Sequence, residues 1–501
     1  MAAESPESTS AEQEGPSLSR LASRGAMWQS VSFFGGKVLL LAATVVLARV
    51  LTPQEFGLVS LALVVIGFLD VISDLGVSQA LIYFDADRRR TDAALLATVV
   101  VGALIAVGLA LLAPVVGRQL HEPDTVPLLR LLALSIFAGS LGVVPDTLLR
   151  KGLDFRRRVP VQLSLSATRG VLAIVLALAG FGVWALAIAQ VAAQIVSSAV
   201  AWALVRYRPG RDVWRIRRTE LAELIRYGAP TAASGLLNNL VLNIDYIIVG
   251  RVLGATQLGL YTLAFRVPEM LVVSVFQIVS SVTFPAYSQA NKSLERVRRA
   301  YLRVLRLQNT YGLLMSALLF VLAPLVIAVV FGPEWNASIH SMQALAVYAA
   351  FRSLGMGVVD LLKGIGRPNL ALLLAVVRFV VVAVALAAVA AQGITAVSIT
   401  QAVAALALMV MVQAVAGHSL HLSWLRLVGS YVPGLGAAVA AGLISQAVVW
   451  FTAMNDLLTL VTAGLLGALV GGALASVSSA WRRDVRSVLP RRRRSVSPST
   501  P

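Results

Sequence analysis

Long apolar runs, each of about 20–28 residues, follow one another along nearly the whole chain. A helix of that length crosses roughly 30 Å of hydrocarbon. Inside lipid every backbone N–H and C=O must find its partner within the protein, so only helices and closed barrels span a bilayer. Barrel strands are shorter and alternate polar with apolar residues, which these runs do not. The sequence therefore specifies an all-α polytopic membrane protein. Composition agrees: 58% of the 501 residues are hydrophobic and the mean hydropathy is +0.82. A soluble domain carries about 45–50% apolar residues.

Fourteen transmembrane helices are expected, near 26–50, 56–84, 93–116, 128–149, 159–180, 182–205, 228–252, 258–287, 304–331, 336–362, 368–391, 393–417, 429–452 and 455–480. The divisions at 180/182 and 391/393 rest on "GFGVW" and "QGI" alone. Residues 1–24 are polar, acidic and rich in Ser and Pro. They lack the apolar core of a cleavable signal peptide and read as a disordered cytoplasmic tail.

Charge sets the orientation. "DADRRRTD" (85–92), "RKGLDFRRRV" (150–159), "RYRPGRDVWRIRR" (206–218), "NKSLERVRRAYLRVLR" (291–306), "KGIGRP" (363–368) and the tail from Arg482 all fall on one side of the fourteen-span scheme. The opposite loops, such as "TPQE", "HEPDTVP", "GPEWNAS" and "TAMND", are nearly free of cations. By the positive-inside rule both termini are cytoplasmic. The net charge of +18 has the same origin. Its cations sit at span ends, where anionic lipid headgroups meet them, so lipid rather than nucleic acid is the expected partner.

A phrase recurs. "ARVLTPQEFGLVSLALVV" (48–65) returns as "GRVLGATQLGLYTLAFRV" (250–267), with Arg49, Gly57 and Leu61 matched by Arg251, Gly259 and Leu263. Six expected spans separate the copies, and an even number restores the same orientation. The repeat is therefore parallel, about an axis along the membrane normal. The expected organisation is an N-lobe over 25–205, a basic linker over 206–227, a C-lobe over 228–417 and two further helices over 418–481. A basic tail over 482–501 follows. Two six-helix lobes side by side enclose a cleft that can open to either face, a transporter architecture.

Enzymatic signatures are missing. There is no cysteine, so thiol chemistry and thiolate metal sites are excluded. The histidines at 121, 340, 418 and 421 lie in or beside loops, without a set of metal-ligand partners. "GIG" (364–366) lacks the Lys-Ser/Thr of a phosphate loop. No cofactor is expected.

Charges inside the spans are more informative. Lys37, Arg169, Arg266, Arg352 and Arg378 fall well within expected helices, as do Asp70, Asp74, Asp146, Asp245, Glu269 and Asp360. A central Lys or Arg costs roughly 2.5–3.5 kcal/mol to insert, so five facing lipid would cost on the order of 12–17 kcal/mol. They must face partners or a wet cavity. Pairing is one reading: Arg266 with Glu269 one turn on, and Lys37 with Asp70 or Asp74. The other is a cationic cleft that attracts an anion, since the guanidinium fork suits phosphate. Asn238, Asn239, Asn243 and Gln277 can either line such a cleft for a hydroxyl-rich ligand or join helix to helix.

Several phrases carry a family resemblance: "GAMW" (25–28), "ARVLTPQEFG" (48–57), "DLGVSQALI" (74–82), "LRKGLDFRRR" (149–158), "YGAP" (227–230), "NIDYIIVGRVLGATQLGLYTLAFRV" (243–267), "FPAYSQ" (284–289) and "FGPEW" (331–335). Over about residues 20–420 the chain resembles the polysaccharide transporter (Wzx-type) flippases of the multidrug/oligosaccharidyl-lipid/polysaccharide exporter superfamily. The resemblance implies a bacterial cytoplasmic-membrane flippase that moves polyprenyl-pyrophosphate-linked oligosaccharide to the outer leaflet by alternating access, alongside other polysaccharide assembly proteins. The pyrophosphate would meet first Arg266 and Arg352, then Lys37, Arg169 and Arg378. Asp245, Asp70 and Asp74 are candidates for ion coupling. A MurJ-type lipid II flippase, a MATE-type drug exporter and a non-transporting scaffold are the alternatives.

Overall fold

The computed structural model describes residues 35–477 apart from 85–86, 153, 211–217, 278, 281–282, 284–286, 288–292 and 453–454. The expected tails over 1–24 and 482–501, and part of the 206–227 linker, lie outside the described residues. No strand occurs among the described residues. The helices are α1 (35–50), α2 (Pro53–Asp74), α3 (Val77–Tyr83), α4 (Arg88–Gln119), α5 (Thr125–Lys151), α6 (Phe155–Leu178), α7 (Trp184–Leu204) and α8 (Arg218–Pro268). Then come α9 (Leu294–Val326), α10 (Ile339–Gly364), α11 (Pro368–Val389), α12 (Ile394–Ser419), α13 (Trp424–Gly429), α14 (Val432–Phe451) and α15 (Asp456–Val477).

Twelve helical stretches among the described residues are long and apolar enough to cross a bilayer. They differ from the fourteen expected spans at two places. The expected first span enters the described structure only at residue 35 and runs as helix to residue 50. Expected spans 7 and 8 join into one stretch, Thr219–Gln277, of 59 residues. A straight helix of that length would measure about 90 Å at 1.5 Å per residue, three times the hydrocarbon thickness. The chain breaks it at Gly254, whose φ of 80° and ψ of 178° are not helical. The two weakest expected divisions are true breaks: Gly180 and Gly182 have φ of 84° and 52°, and Gly393 has φ of 101°.

The phrase "LTPQEFG" starts α2 for local reasons. Thr52 caps the helix, its hydroxyl accepting from the Glu55 amide at 3.3 Å while the Glu55 carboxylate accepts from the Thr52 amide at 2.9 Å. Pro53 sits in the first turn, where no N–H is needed. At the other end of α2, "DLG" makes a break. Leu75 and Gly76 turn left-handed, with φ of 48° and 69°. Asp74 accepts from the Ser78 hydroxyl at 2.5 Å and from its amide at 3.3 Å.

The broadest helix pairing among the described residues is α2 against α8. Glycines set its closeness at both ends. A Cβ on Gly57 would lie 1.7 Å from the Ala255 carbonyl oxygen, and one on Gly259 would lie 1.9 Å from that of Pro53. At the far end, a Cβ on Gly76 would meet the Gly228 oxygen at 2.1 Å, and one on Gly228 the Leu75 oxygen at 2.4 Å. Backbones this close gain van der Waals contact, which must do the work of association where lipid is as apolar as the protein.

Other resembling phrases dock on one another. The Trp335 indole of "FGPEW", fully buried, donates to the Ala48 carbonyl at 2.8 Å and stands edge-on to Phe56 at 5.7 Å. Arg49 donates to the carbonyl of Val330 at 3.0 Å and to that of Val329. Its counterpart in the second phrase, Arg251, donates to the Gln119 carbonyl at the end of α4 at 3.3 Å. Both arginines thus tie off the carbonyl end of a helix from the opposite half. In "LRKGLDFRRR", Lys151 holds the Leu81 carbonyl at 2.8 Å and that of Phe84. Asp146 pairs with Arg158 at 2.9 Å and Arg150 at 3.5 Å. Tyr207, at the start of the linker, donates to Asp92, and burial followed by that carboxylate raises its pKa above the ordinary phenol value.

Gly57→Ala and Gly259→Ala should each lower the thermal midpoint of the purified protein. The obstruction is backbone, so the cost should lie at the upper end of the about 1–3 kcal/mol of overpacking. Gly108→Ala, where the added carbon meets nothing within 4 Å, should leave the midpoint unchanged or slightly higher.

Candidate functional site

Where α8 passes Pro268, its hydrogen bonding widens to a π-turn over Glu269–Val273. Pro268 offers no N–H to the ladder and crowds the preceding turn, and π-turns are frequent at functional sites. Glu269, at the head of this turn, meets two of the intramembrane cations. Arg266 approaches one of its oxygens at 3.7 Å and Lys37 of α1 the other at 3.6 Å. The expected Arg266–Glu269 pairing is therefore present. Lys37 pairs with Glu269 rather than with Asp70 or Asp74, because the fold brings α1 to the π-turn.

The remaining three cations gather around this pair. Arg169 of α6 lies within Coulombic reach of Arg266 and of Asp70 on α2. Arg352 of α10 lies within reach of Glu269 and of Asp245 on α8. It also donates to the Tyr348 hydroxyl at 3.1 Å, with its guanidinium 5.7 Å from the centre of that ring. Arg378 of α11 lies beside Arg352 and the same Tyr348 hydroxyl. All five cations singled out in the sequence thus form one continuous neighbourhood, although they come from five different helices. Against Lys37, Arg169, Arg266, Arg352 and Arg378 stand three carboxylates, Asp70, Asp245 and Glu269.

Asp245 is the most enclosed of the three, at 5% exposure. It accepts from the Tyr261 hydroxyl at 2.7 Å and from the Gln401 amide of α12 at 2.8 Å. Gln401 also donates to Tyr261 at 2.9 Å, which closes the triangle. Tyr246 packs edge-on against Tyr261 at 5.6 Å. These tyrosines and Gln401 were not singled out in the sequence. The available signals were a lone amide in the apolar run "SITQAVAAL" and a Tyr one helical turn before Arg352.

The other sequence candidates divide differently. Asn239 donates to the Gly67 carbonyl of α2 at 2.7 Å, and Asn243 to Asn239 at 2.5 Å, so both serve the α2–α8 contact. Asn238 and Gln277 are exposed. Asp74 is engaged by Ser78 at the α2–α3 break. Asp70 stands with Arg169.

Donor satisfaction gives the arrangement its chemistry. The Nε of Arg169, Arg266 and Arg352 are each buried and have no hydrogen-bond partner among the described residues. Buried donors are normally paired, and exceptions call for a physical explanation. A phosphate group offers several strong acceptor oxygens and negative charge to such a set. Among the described residues, no group of His, Cys, Asp and Glu is arranged to hold a metal ion.

Comparison with known proteins identifies the family and the fold. The chain is 28% identical over 356 residues to the lipopolysaccharide biosynthesis protein WzxC of Escherichia coli K12, covering 69% of this chain and 70% of that protein. It is 29% identical over 350 residues to the succinoglycan biosynthesis transport protein ExoT of Rhizobium meliloti 1021, covering 69% of each. Among solved structures, the fold is similar to the lipid II flippase MurJ in an inward closed conformation. The TM-score is 0.74 at 12% identity, over 91% of this chain and 99% of that one. The polysaccharide biosynthesis protein family matches residues 46–340. With more than half of its length inside that match, this multi-pass membrane protein belongs to the polysaccharide biosynthesis protein family.

Proposed function

We propose that the protein is a flippase that carries a polyprenyl-diphosphate-linked oligosaccharide from the cytoplasmic to the outer leaflet of the bacterial cytoplasmic membrane. The carrying observation is the set of three buried, unpartnered guanidinium Nε atoms inside a neighbourhood of five cations and three carboxylates. The local excess of two positive charges suits a diphosphate diester. The relatives named for lipopolysaccharide and succinoglycan biosynthesis supply the class of sugar chain. In this reading the oligosaccharide passes between the two lobes, 25–205 and 228–417, while the prenyl tail stays in lipid. No bond is made or broken, so the chemistry reduces to binding an anion, shielding it from hydrocarbon and releasing it.

The two lobes alternate access to that space. The basic span ends face the cytoplasm by the positive-inside rule, which places both termini there, and anionic lipids pair with those ends. Asp245 serves as a fixed counter-charge that positions Arg352 and Arg378, held in place by Tyr261 and Gln401.

Three measurements test this. Leaflet exchange of a fluorescent polyprenyl-diphosphate oligosaccharide in proteoliposomes should fall about ten-fold or more in Arg266→Ala and in Arg352→Ala. A hydrogen bond to a charged group contributes about 1.5–3 kcal/mol, and 1.4 kcal/mol is a decade. Exchange equal to wild type in both would remove the cations from the binding role. Arg118→Ala, at an exposed helix end, should leave exchange unchanged. Asp74→Ala should cost about 1–3 kcal/mol of stability through the lost hydrogen bonds from Ser78, with exchange per folded molecule within about two-fold of wild type. Asp245→Asn should keep its thermal midpoint, because Asn still accepts from Tyr261, and should lose exchange even without an imposed ion gradient. Loss of gradient stimulation alone would make Asp245 an ion-coupling group instead.

A further inference from the structure

Glu269 is an expensive residue to place where it is. It adds a negative charge to a neighbourhood in which five cations stand against Asp70, Asp245 and Glu269 itself. Its partners are Lys37 from the first half of the chain and Arg266 from the second, so the one carboxylate bridges the two halves. Both contacts are loose. At 3.6 and 3.7 Å they exceed the 2.7–2.9 Å of a charge-assisted hydrogen bond. Lys37, Arg266 and Glu269 keep 25%, 28% and 28% of their side-chain surface exposed, so the bridge borders accessible space rather than sealed core. Arg266 meanwhile keeps its buried Nε unbonded while its Nη1 faces Glu269. A carboxylate that holds two cations at long range, and leaves a donor of one unused, can be exchanged for a better acceptor.

We propose that Glu269 is an exchangeable internal anion: it bridges Lys37 and Arg266 until the diphosphate of a lipid-linked substrate replaces it, and it drives that diphosphate out again by returning. This rests on the reading of the cation neighbourhood as a diphosphate site. Substrate entry then breaks one bridge between the halves and makes another through its own phosphates. The cations are never left uncompensated in a low-dielectric setting, where an isolated charge is most costly. The π-turn supplies the local freedom, since Glu269 is its first residue and Pro268 has already removed one rung of the helical ladder. Glu269 is a positioning and competing residue, and its removal should make binding tighter rather than weaker.

The test is titration of purified protein in lipid nanodiscs with farnesyl diphosphate at fixed ionic strength, followed by calorimetry and by the ligand-induced rise in thermal midpoint. Glu269→Gln should bind about ten-fold tighter than wild type. Its midpoint without ligand should be lower, and the rise on adding ligand larger. A purely structural role would lower the first without enlarging the second. In leaflet exchange the same variant should show a lower half-saturating concentration and a lower maximal rate, because product leaves slowly. Should Glu269→Gln fail to fold, Glu269→Asp carries the test. Its shorter arm reaches both cations less well, and its affinity should rise about three-fold. Unchanged or weaker binding in these variants, with Arg352→Ala weakening it, would overturn the exchange while leaving the diphosphate site standing. If neither Arg352→Ala nor the Glu269 variants alter the affinity, the diphosphate site falls and the exchange with it.

Discussion

The glycine seam between α2 and α8 is the contact on which the rest of the arrangement depends. Four glycines, Gly57 and Gly76 on one side and Gly228 and Gly259 on the other, let backbone touch backbone at both ends of the pair. Between them the helices have little choice of offset or angle, because every added carbon would collide with a carbonyl. That fixes Asp70 of α2, and Asp245, Arg266 and Glu269 of α8 and its π-turn, relative to one another. Asn239 adds one directional bond, to the Gly67 carbonyl, where the seam is wider. A hydrophobic driving force cannot set such a register in lipid, so steric fit and a few hydrogen bonds must do so.

Charge in the site follows from this placement and cannot be understood one residue at a time. Five cations facing lipid would cost on the order of 12–17 kcal/mol, comparable to the whole stability of a domain. Gathering them against three carboxylates and the tyrosines of α8 and α10 offsets much of that cost without neutralising the site. Full neutrality would have stored no attraction for an anion, and a bare cluster would not have survived insertion. The cluster keeps five cations against three carboxylates, with the Nε atoms of Arg169, Arg266 and Arg352 unbonded among the described residues.

Sequence reasoning located the five cations, because a charge in an apolar run is conspicuous. It also located the breaks at 180/182 and 391/393, where glycines with positive φ leave a local mark. It could not assign partners. Adjacency on one helix is periodic and readable, so the Arg266–Glu269 pairing was accessible. Lys37 was matched to the acids on the next helix in sequence, whereas its partner lies 232 residues further along, on a turn that α1 reaches only in the folded protein. Gln401 and Tyr261 were missed for the same reason. Each looks like an ordinary polar residue in its own helix, and their common attachment to Asp245 is a property of three segments at once. The asparagines of α8 were legible as polar groups in a span, but only the depth of the α2–α8 contact assigns Asn239 to packing.

The phrases that carry the family resemblance and the residues that carry the site are mostly different residues. Thr52, Pro53 and Gly57 start a helix and seat it. Trp335 and Arg49 clamp one half to the other, and Lys151 and Arg158 staple helix ends. Lys37, Arg169, Glu269, Arg352 and Arg378 lie outside every one of those phrases; Asp245 and Arg266, with Tyr246 and Tyr261, fall within one. Physical demand explains the separation. A seam that tolerates no extra carbon, or a cap that satisfies a particular amide, admits few residue types and so leaves a recognisable phrase. A cluster that needs only a net positive charge can meet the demand from many positions on several helices. The frame is therefore what a sequence signature of this kind reports. The ligand must be argued from the charge, the unpaired donors and the exposure of the side chains that the frame brings together.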